Sequence, residues 1–200
     1  MAIRKIAQLG EPLLRERSKP VSPDELASKR LQTLIDDMIE TMRDADGAGL
    51  AAPQVYEPVR LAVIEVNENA RYPTFPAVPL TVLVNPVVTP EVTPGALSGE
   101  DAVEMFEGCL SVPGVRGRVR RPRRVRVSAL GRNGETVELA WEGVRAAIVQ
   151  HELDHLDGVL FVDRADPRSL TFLREYERHV PLEERILDRG QPVLGASKAR

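Results

Sequence analysis

Apolar residues recur at helical spacing through Leu26, Leu31, Leu34, Ile35, Met38, Ile39 and Met42, and Asp46-Gly47 ends the run. The stripe predicts one amphipathic helix whose methionines belong to the core. Just ahead of it, Ser22-Pro23-Asp24-Glu25 places an N-cap serine, a proline at the first helical position and a glutamate three after the cap. That is a capping box. Met1 to Pro20 reads as irregular, with a turn at Gly10-Glu11-Pro12. Arg60 to Val66 reads as a buried strand, and six prolines between Pro73 and Pro94 cut the next stretch into short extended pieces, among which Thr81 to Val84 is the expected strand.

Pro113-Gly114 predicts a turn soon after Cys109. From Arg116 to Arg126 there are seven arginines and no acid, and the alternation around Val119 and Val125 predicts a single strand with one basic face. Such a face reads first as a solvated edge that discourages aggregation, and alternatively as a surface that meets ribosomal RNA. Asn133-Gly134 predicts a hairpin returning along Thr136 to Trp141. A helix should begin near Glu142, Val159 to Val162 should form a strand, and Asp166-Pro167 should open a last helix ending near His179-Val180-Pro181. The expected architecture is a single α+β domain over residues 1–181, with antiparallel sheets packed around a central helix and a loose tail at 182–200.

The chain has 200 residues and is 42% hydrophobic, which suits one domain with a sizeable core. A net charge of −3 argues against wholesale nucleic-acid binding and against a specific DNA partner. No apolar run approaches a membrane span, and the opening residues lack the apolar core of a secretory signal, so the expected location is the cytoplasm. One cysteine excludes an internal disulfide and leaves Cys109 as a buried apolar residue, a ligand or a nucleophile.

The densest chemistry lies in Gln150 to Gly158, where His151 and His155 stand four apart with Glu152 directly after the first. On a helix the two imidazoles share a face and can hold one metal ion, while Glu152 reaches its open side as general base. Val144, Ala147 and Ile148 lie on that same side, so Val144 and Ile148 are the expected walls of an apolar substrate pocket. A catalytic site of this kind needs a third protein ligand. The extended pattern H-E-x-x-H-x-x-G-x-x-H fails because Phe161 stands where its last histidine would be. Two options remain open: a carboxylate on a later helix, Glu175 or Glu177, or the soft thiolate of Cys109. Gly47-Ala48-Gly49-Leu50-Ala51-Ala52-Pro53-Gln54 by itself reads as a helix end and turn, although its glycines allow close backbone approach and Gln54 can donate a hydrogen bond.

Three segments, Gly47 to Gln54, Glu107-Gly108-Cys109-Leu110-Ser111 and Gln150 to His155, resemble in order and spacing the motifs of peptide deformylases. The resemblance implies an ion held by Cys109, His151 and His155. It implies Fe²⁺ as that ion, with Zn²⁺, Ni²⁺ or Co²⁺ as alternatives, and the formyl group of N-formylmethionyl nascent peptides as the target. Glu152 would then move the water's proton, and Gln54 and the Leu110 backbone N–H would meet charge on the carbonyl oxygen. The peptide itself would pair with backbone near Gly49.

Overall fold

A computed structural model describes residues 2–67, 76–92 and 99–187 of the chain. The capping box forms: Ser22 Oγ accepts from Glu25 N, and the Glu25 carboxylate accepts from Ser22 N. The helix that it starts is shorter than the apolar stripe. α1 (Pro23–Ala27) stops at Ser28, whose backbone is extended and whose hydroxyl caps α2 (Lys29–Asp44) by accepting from Leu31 N at 3.2 Å. Two helices therefore carry the stripe, and Leu31, Leu34, Ile35, Met38 and Met42 pack with strand residues Leu50, Leu61, Val63 and Val84.

β1 (Gly49–Ala51) pairs with β2 (Leu61–Val66), which pairs with β3 (Val78–Pro90). β3 is far longer than Thr81 to Val84, because it bends at Asn85 and continues. There the backbone takes a φ of 52°, the pairing shifts between Val84 and Val87, and the Asn85 amide bonds both Val21 N and Val21 O at 2.8 Å. Pro73 and Pro94 lie outside the described residues. β4 (Ala102–Cys109) turns at Leu110 and Ser111 into β5 (Val112–Pro122), so Pro113 and Gly114 sit inside a strand, with Gly114 at φ 73°. β6 (Arg124–Leu130) and β7 (Thr136–Glu142) form the hairpin expected around Asn133-Gly134.

The arginine segment is not one strand. Pro122 ends β5, Arg123 alone separates it from β6, and the two strands belong to different sheets: one ordered β1-β2-β3-β6-β7, the other holding β5 and β4 between the later strands β8 (Thr171–Phe172), beside β5, and β9 (Ile186–Leu187), beside β4. Nor is it an unpaired basic face. Arg118 and Arg120 meet Glu104, Arg121 meets Glu107, Arg123 meets Glu142, Arg124 meets Asp101 and Arg126 meets Glu91.

α3 (Val144–Leu156) carries the two histidines between the sheets, packing on β1, β2, β3 and β7 from one and on β5 from the other. Sheet on both sides explains why ten of its thirteen residues are buried, on more than the single face that the histidine spacing suggested. The strand expected at Val159 to Val162 is instead the entry to α4 (Phe161–Arg164): the Asp163 carboxylate accepts from Leu160 N at 2.8 Å, and Phe161 fills the core. The last expected helix is also divided, into β8 (Thr171–Phe172) and α5 (Leu173–His179). Residues 182–187, expected to begin the tail, form α6 (Leu182–Arg185) and β9 (Ile186–Leu187), and β9 pairs with β4. The remainder of that tail lies outside the described residues. No described helix is long and apolar enough to cross a membrane.

Ser28 is both the end of one helix and the cap of the next, so Ser28→Ala should lower unfolding free energy by about 0.5–2 kcal/mol, and Ser28→Gly by only a few tenths. Urea denaturation of the three proteins measures it. Equal midpoints for wild type and Ser28→Ala would remove the cap from the stability of α2.

Candidate metal centre

Strand alternation puts Met105, Glu107 and Cys109 on the buried face of β4, opposite α3. The nitrogens of His151 and His155 and the Cys109 sulfur come within 4.8 Å of one another, with Sγ to His155 Nε2 at 3.3 Å. Among the described residues this is the one group of three or more such side chains so placed. Of the two options left open by the sequence, the carboxylates do not join it: Glu175 pairs with His179 on α5 at 3.3 Å, and Glu177 lines the outer cleft. Phe161, standing where a third histidine would be, is fully buried and stacks on the His151 ring at 6.3 Å.

The donor set suits a divalent ion. His151 Nδ1 is hydrogen-bonded to Glu107 Oε2 at 2.8 Å, which leaves Nε2 for an ion, the usual arrangement of a ligating histidine with a carboxylate behind it. Glu107 is held in turn by Arg121, with Nε to Oε1 at 2.5 Å and Nη2 to Oε2 at 2.9 Å. Arg121 also reaches Asp154 at 2.8 Å, and Asp154 takes two further bonds from Arg164 at 2.7 and 2.6 Å. Burial pushes the Glu107 carboxyl up, but the charge and hydrogen bonds of Arg121, with His151, outweigh it and hold the group at about 2. Burial likewise pushes the Cys109 thiol up, and the nearby charge of His155 and the hydrogen bonds from both histidines bring it well below its ordinary value. The sulfur also accepts from Ser111 N at 3.3 Å and Gln54 Nε2 at 3.4 Å, so it is surrounded as a thiolate.

Gln54 is oriented by its other end. Its Oε1 accepts from Ala51 N at 2.8 Å, so the NH₂ must face Cys109 and Ser111. Glu152 lies beside the cluster, its carboxyl raised by burial against the opposing charges of His151 and His155, and its buried Oε2 has no hydrogen-bond partner. A Cβ at position 49 would come within 2.6 Å of that carboxyl, so only glycine lets β1 pass there. β1 is also the end strand of its sheet, and its outer edge borders the cleft.

The cleft encloses about 770 Å³, and Gly49, Leu110, Ile148, His151 and Glu152 line it as the sequence suggested. Val144 does not; it packs in the apolar cluster behind α3, and Ala147 takes its place on the wall. Sequence reasoning gave no role to Glu107, Arg121, Ser111 or Met105, nor to the C-terminal residues Tyr176 and Ile186. The available signal was the position of Glu107 and Met105, two and four residues before Cys109 on one strand face.

A buried thiolate and two helix-borne imidazoles, with an unpaired carboxylate next to them in an open cleft, define a mononuclear metallohydrolase. Residues 3–170 match the polypeptide deformylase family model. The chain is 43% identical over 189 residues to the peptide deformylase of Leptospira biflexa, covering 94% of this chain and all of that one. It is also similar to the Met-Ala-Ser-bound class I type b peptide deformylase of Acinetobacter baumannii, with 42% identity, a TM-score of 0.73 and coverage of 81% and 98%. The Thermotoga maritima peptide deformylase gives 36% identity and a TM-score of 0.70 over 84% of this chain and all of that one. The chain belongs to the peptide deformylase family, metal-dependent hydrolases that remove the N-formyl group from nascent peptides.

Because Glu107 orients the imidazole of a candidate metal ligand, Glu107→Ala should weaken metal binding by about 10–100-fold, read by competition with a chelator. Glu107 has its carboxyl lowered from 4.5 to about 2, so its contribution to stability is complete above about pH 4.5 and disappears as the pH falls through 2. Acid unfolding of Glu107→Gln should lack that part of the slope. A pH profile parallel to wild type would show that the carboxylate adds no pH-linked stability.

Proposed function

We propose that the cleft takes N-formylmethionyl peptides and hydrolyses the formyl amide, with Cys109, His151 and His155 holding the ion. The observation that carries this reading is the buried, unpartnered Oε2 of Glu152 beside the three ligand groups, facing an edge strand that passes close only because residue 49 is glycine. An ion bound there supplies Lewis acidity, polarising the carbonyl and lowering the pKa of water to about 7. Glu152 accepts a proton from the attacking water and delivers it to the leaving amine. Its raised affinity for protons suits both halves of that task. Gln54 Nε2 and the Leu110 N–H donate to the carbonyl oxygen as charge develops on it. Formate and a free N-terminus are the products.

The peptide lies extended and adds to the outer edge of β1 at Gly49, so backbone bonds hold it and side chains beyond the first matter less. The Met-Ala-Ser bound by the related Acinetobacter baumannii enzyme supports a peptide occupant of this size. A formyl group has only hydrogen on its far side. Gly47 to Gly49 and Gly108-Cys109-Leu110 line the cleft beside the ligand groups, and closure on the formyl side by these segments would favour the first amide of a chain over an internal one. The substrate class supports the cytoplasm as the enzyme's location, since such chains are made there. Contact with the ribosome through Arg123, Arg124 and Arg126 finds no support in the geometry, since Arg124 and Arg126 meet acids and Arg123 is buried.

With metal-loaded enzyme, formyl-Met-Ala-Ser should release formate, while acetyl-Met-Ala-Ser stays intact. Glu152→Ala should keep its metal and lose about a hundredfold or more in turnover, and Gln54→Leu about 10²–10³. Cleavage inside casein without formate release, followed by mass spectrometry, would sink the reading. The resident ion is Fe²⁺, with Zn²⁺, Ni²⁺ or Co²⁺ filling the same thiolate and imidazole set. Iron-loaded enzyme should therefore die in air faster than the zinc form, through oxidation of the iron or its thiolate. Equal lifetimes would count against iron.

A further inference from the structure

The apolar end of the cleft is built partly by a segment that lies beyond the three motifs. Ala147 and Ile148, four and three residues before His151, form its wall on α3. Met105, four residues before Cys109 and so about 13 Å along β4, faces them from the sheet. Ile186 is the direct antiparallel partner of Met105, which puts both side chains on the same face, and it packs against the cluster of Val103, Met105 and Ala147. Ile186 also lines the cleft. It therefore extends the metal-bearing face of β4 by one strand and stands where the cleft would otherwise open past Met105.

The segment that carries Ile186 is held firmly to β4. Next to Met105 on β4, the Phe106 ring lies 5.2 Å from Tyr176 of α5, with the Arg118 guanidinium 4.9 Å from the Phe106 centroid, and both rings line the cleft as well. The Arg185 guanidinium covers the Tyr176 ring at 4.7 Å, and its Nε donates to Val180 O at 3.1 Å. These two tilted rings, each faced by a cation, tie α5 and α6 to β4, and α6 runs directly into β9.

We propose that Ile186 is the end wall of the pocket that receives the first side chain of the peptide, and that the C-terminal strand thereby sets the length of side chain admitted. The proposal rests on the deformylase reading and adds a specificity-determining residue to it. A shorter residue at 186 lengthens the pocket, and a longer one fills it. An end wall at Ile186 favours an unbranched side chain over a ring, which needs more room.

The test compares specificity constants of metal-loaded wild type, Ile186→Ala, Ile186→Val and Ile186→Phe on formyl-Met-Ala-Ser, formyl-Phe-Ala-Ser and formyl-Ala-Ala-Ser. For Ile186→Ala the Phe-to-Met ratio of kcat/KM should rise about 10-fold or more, with a smaller rise for Ile186→Val. For Ile186→Phe the Ala-to-Met ratio should rise by a similar factor. A merely structural role lowers all substrates together and leaves the ratios unmoved, and that result overturns the proposal. Should Ile186→Ala fail to fold, the Val and Phe variants read the same ratios. Absence of formate from every peptide with wild type is a different failure, that of the deformylase reading itself.

Discussion

Glu107 accepts hydrogen bonds from two directions, from the Arg121 guanidinium on β5 and from His151 on α3, and all three side chains are nearly or fully withdrawn from water. The carboxylate stays ionised at that depth because the cation lies against it on two bonds, and it turns the imidazole so that the opposite nitrogen faces Cys109. Arg121 continues to Asp154 on α3, and Asp154 to Arg164 on α4. One chain of charge thus joins both strands of the cysteine hairpin to the histidine helix and to the helix after it. Removing a single partner leaves a buried charge uncompensated, a change worth about 3–5 kcal/mol, so the metal site and the packing of α3 fail together.

What could be read from the residues was what local spacing encodes. The histidines and glutamate of α3, the Ser22 capping box and the Asn133-Gly134 hairpin each depend on neighbours within a few positions, and each formed as written. The Ser28 break escaped because serine interrupts a helix only when its hydroxyl finds a cap to make, and the stripe of leucines runs across it unchanged. Val159 to Val162 has strand composition, but its fate was decided by Asp163 capping back onto Leu160 and by the cavity that Phe161 fills. The alternation of arginine and valine is real on either side of Arg121-Pro122-Arg123, yet Pro122 ends one strand and Arg123 alone separates it from the next, which enters a different sheet.

The site was legible in its ligands and less so in its walls. Cys109, His151, His155 and Glu152 announce themselves by chemistry, whereas a pocket wall is apolar and looks like any core residue. Val144 and Ile148 share a helix face in projection, but sheet covers α3 on both sides, so Val144 turned into the core. β9 could not be found by periodicity at all: Ile186 and Leu187 are two residues, and they are a strand only because β4 is there to pair with. A residue can line a cleft through such a pairing with no local pattern to mark it.

Arg123 is the whole link between β5 and β6, which belong to different sheets. Its N–H donates to Asp101 O at 2.9 Å, its carbonyl accepts from Gly143 N at 2.8 Å, and its buried side chain reaches Glu142 at 3.4 Å. A single residue pinned at both backbone groups fixes the point at which the chain leaves one sheet for the other. The cysteine hairpin of β4 and β5 and the hairpin of β6 and β7 thus part from one anchored point on either side of α3.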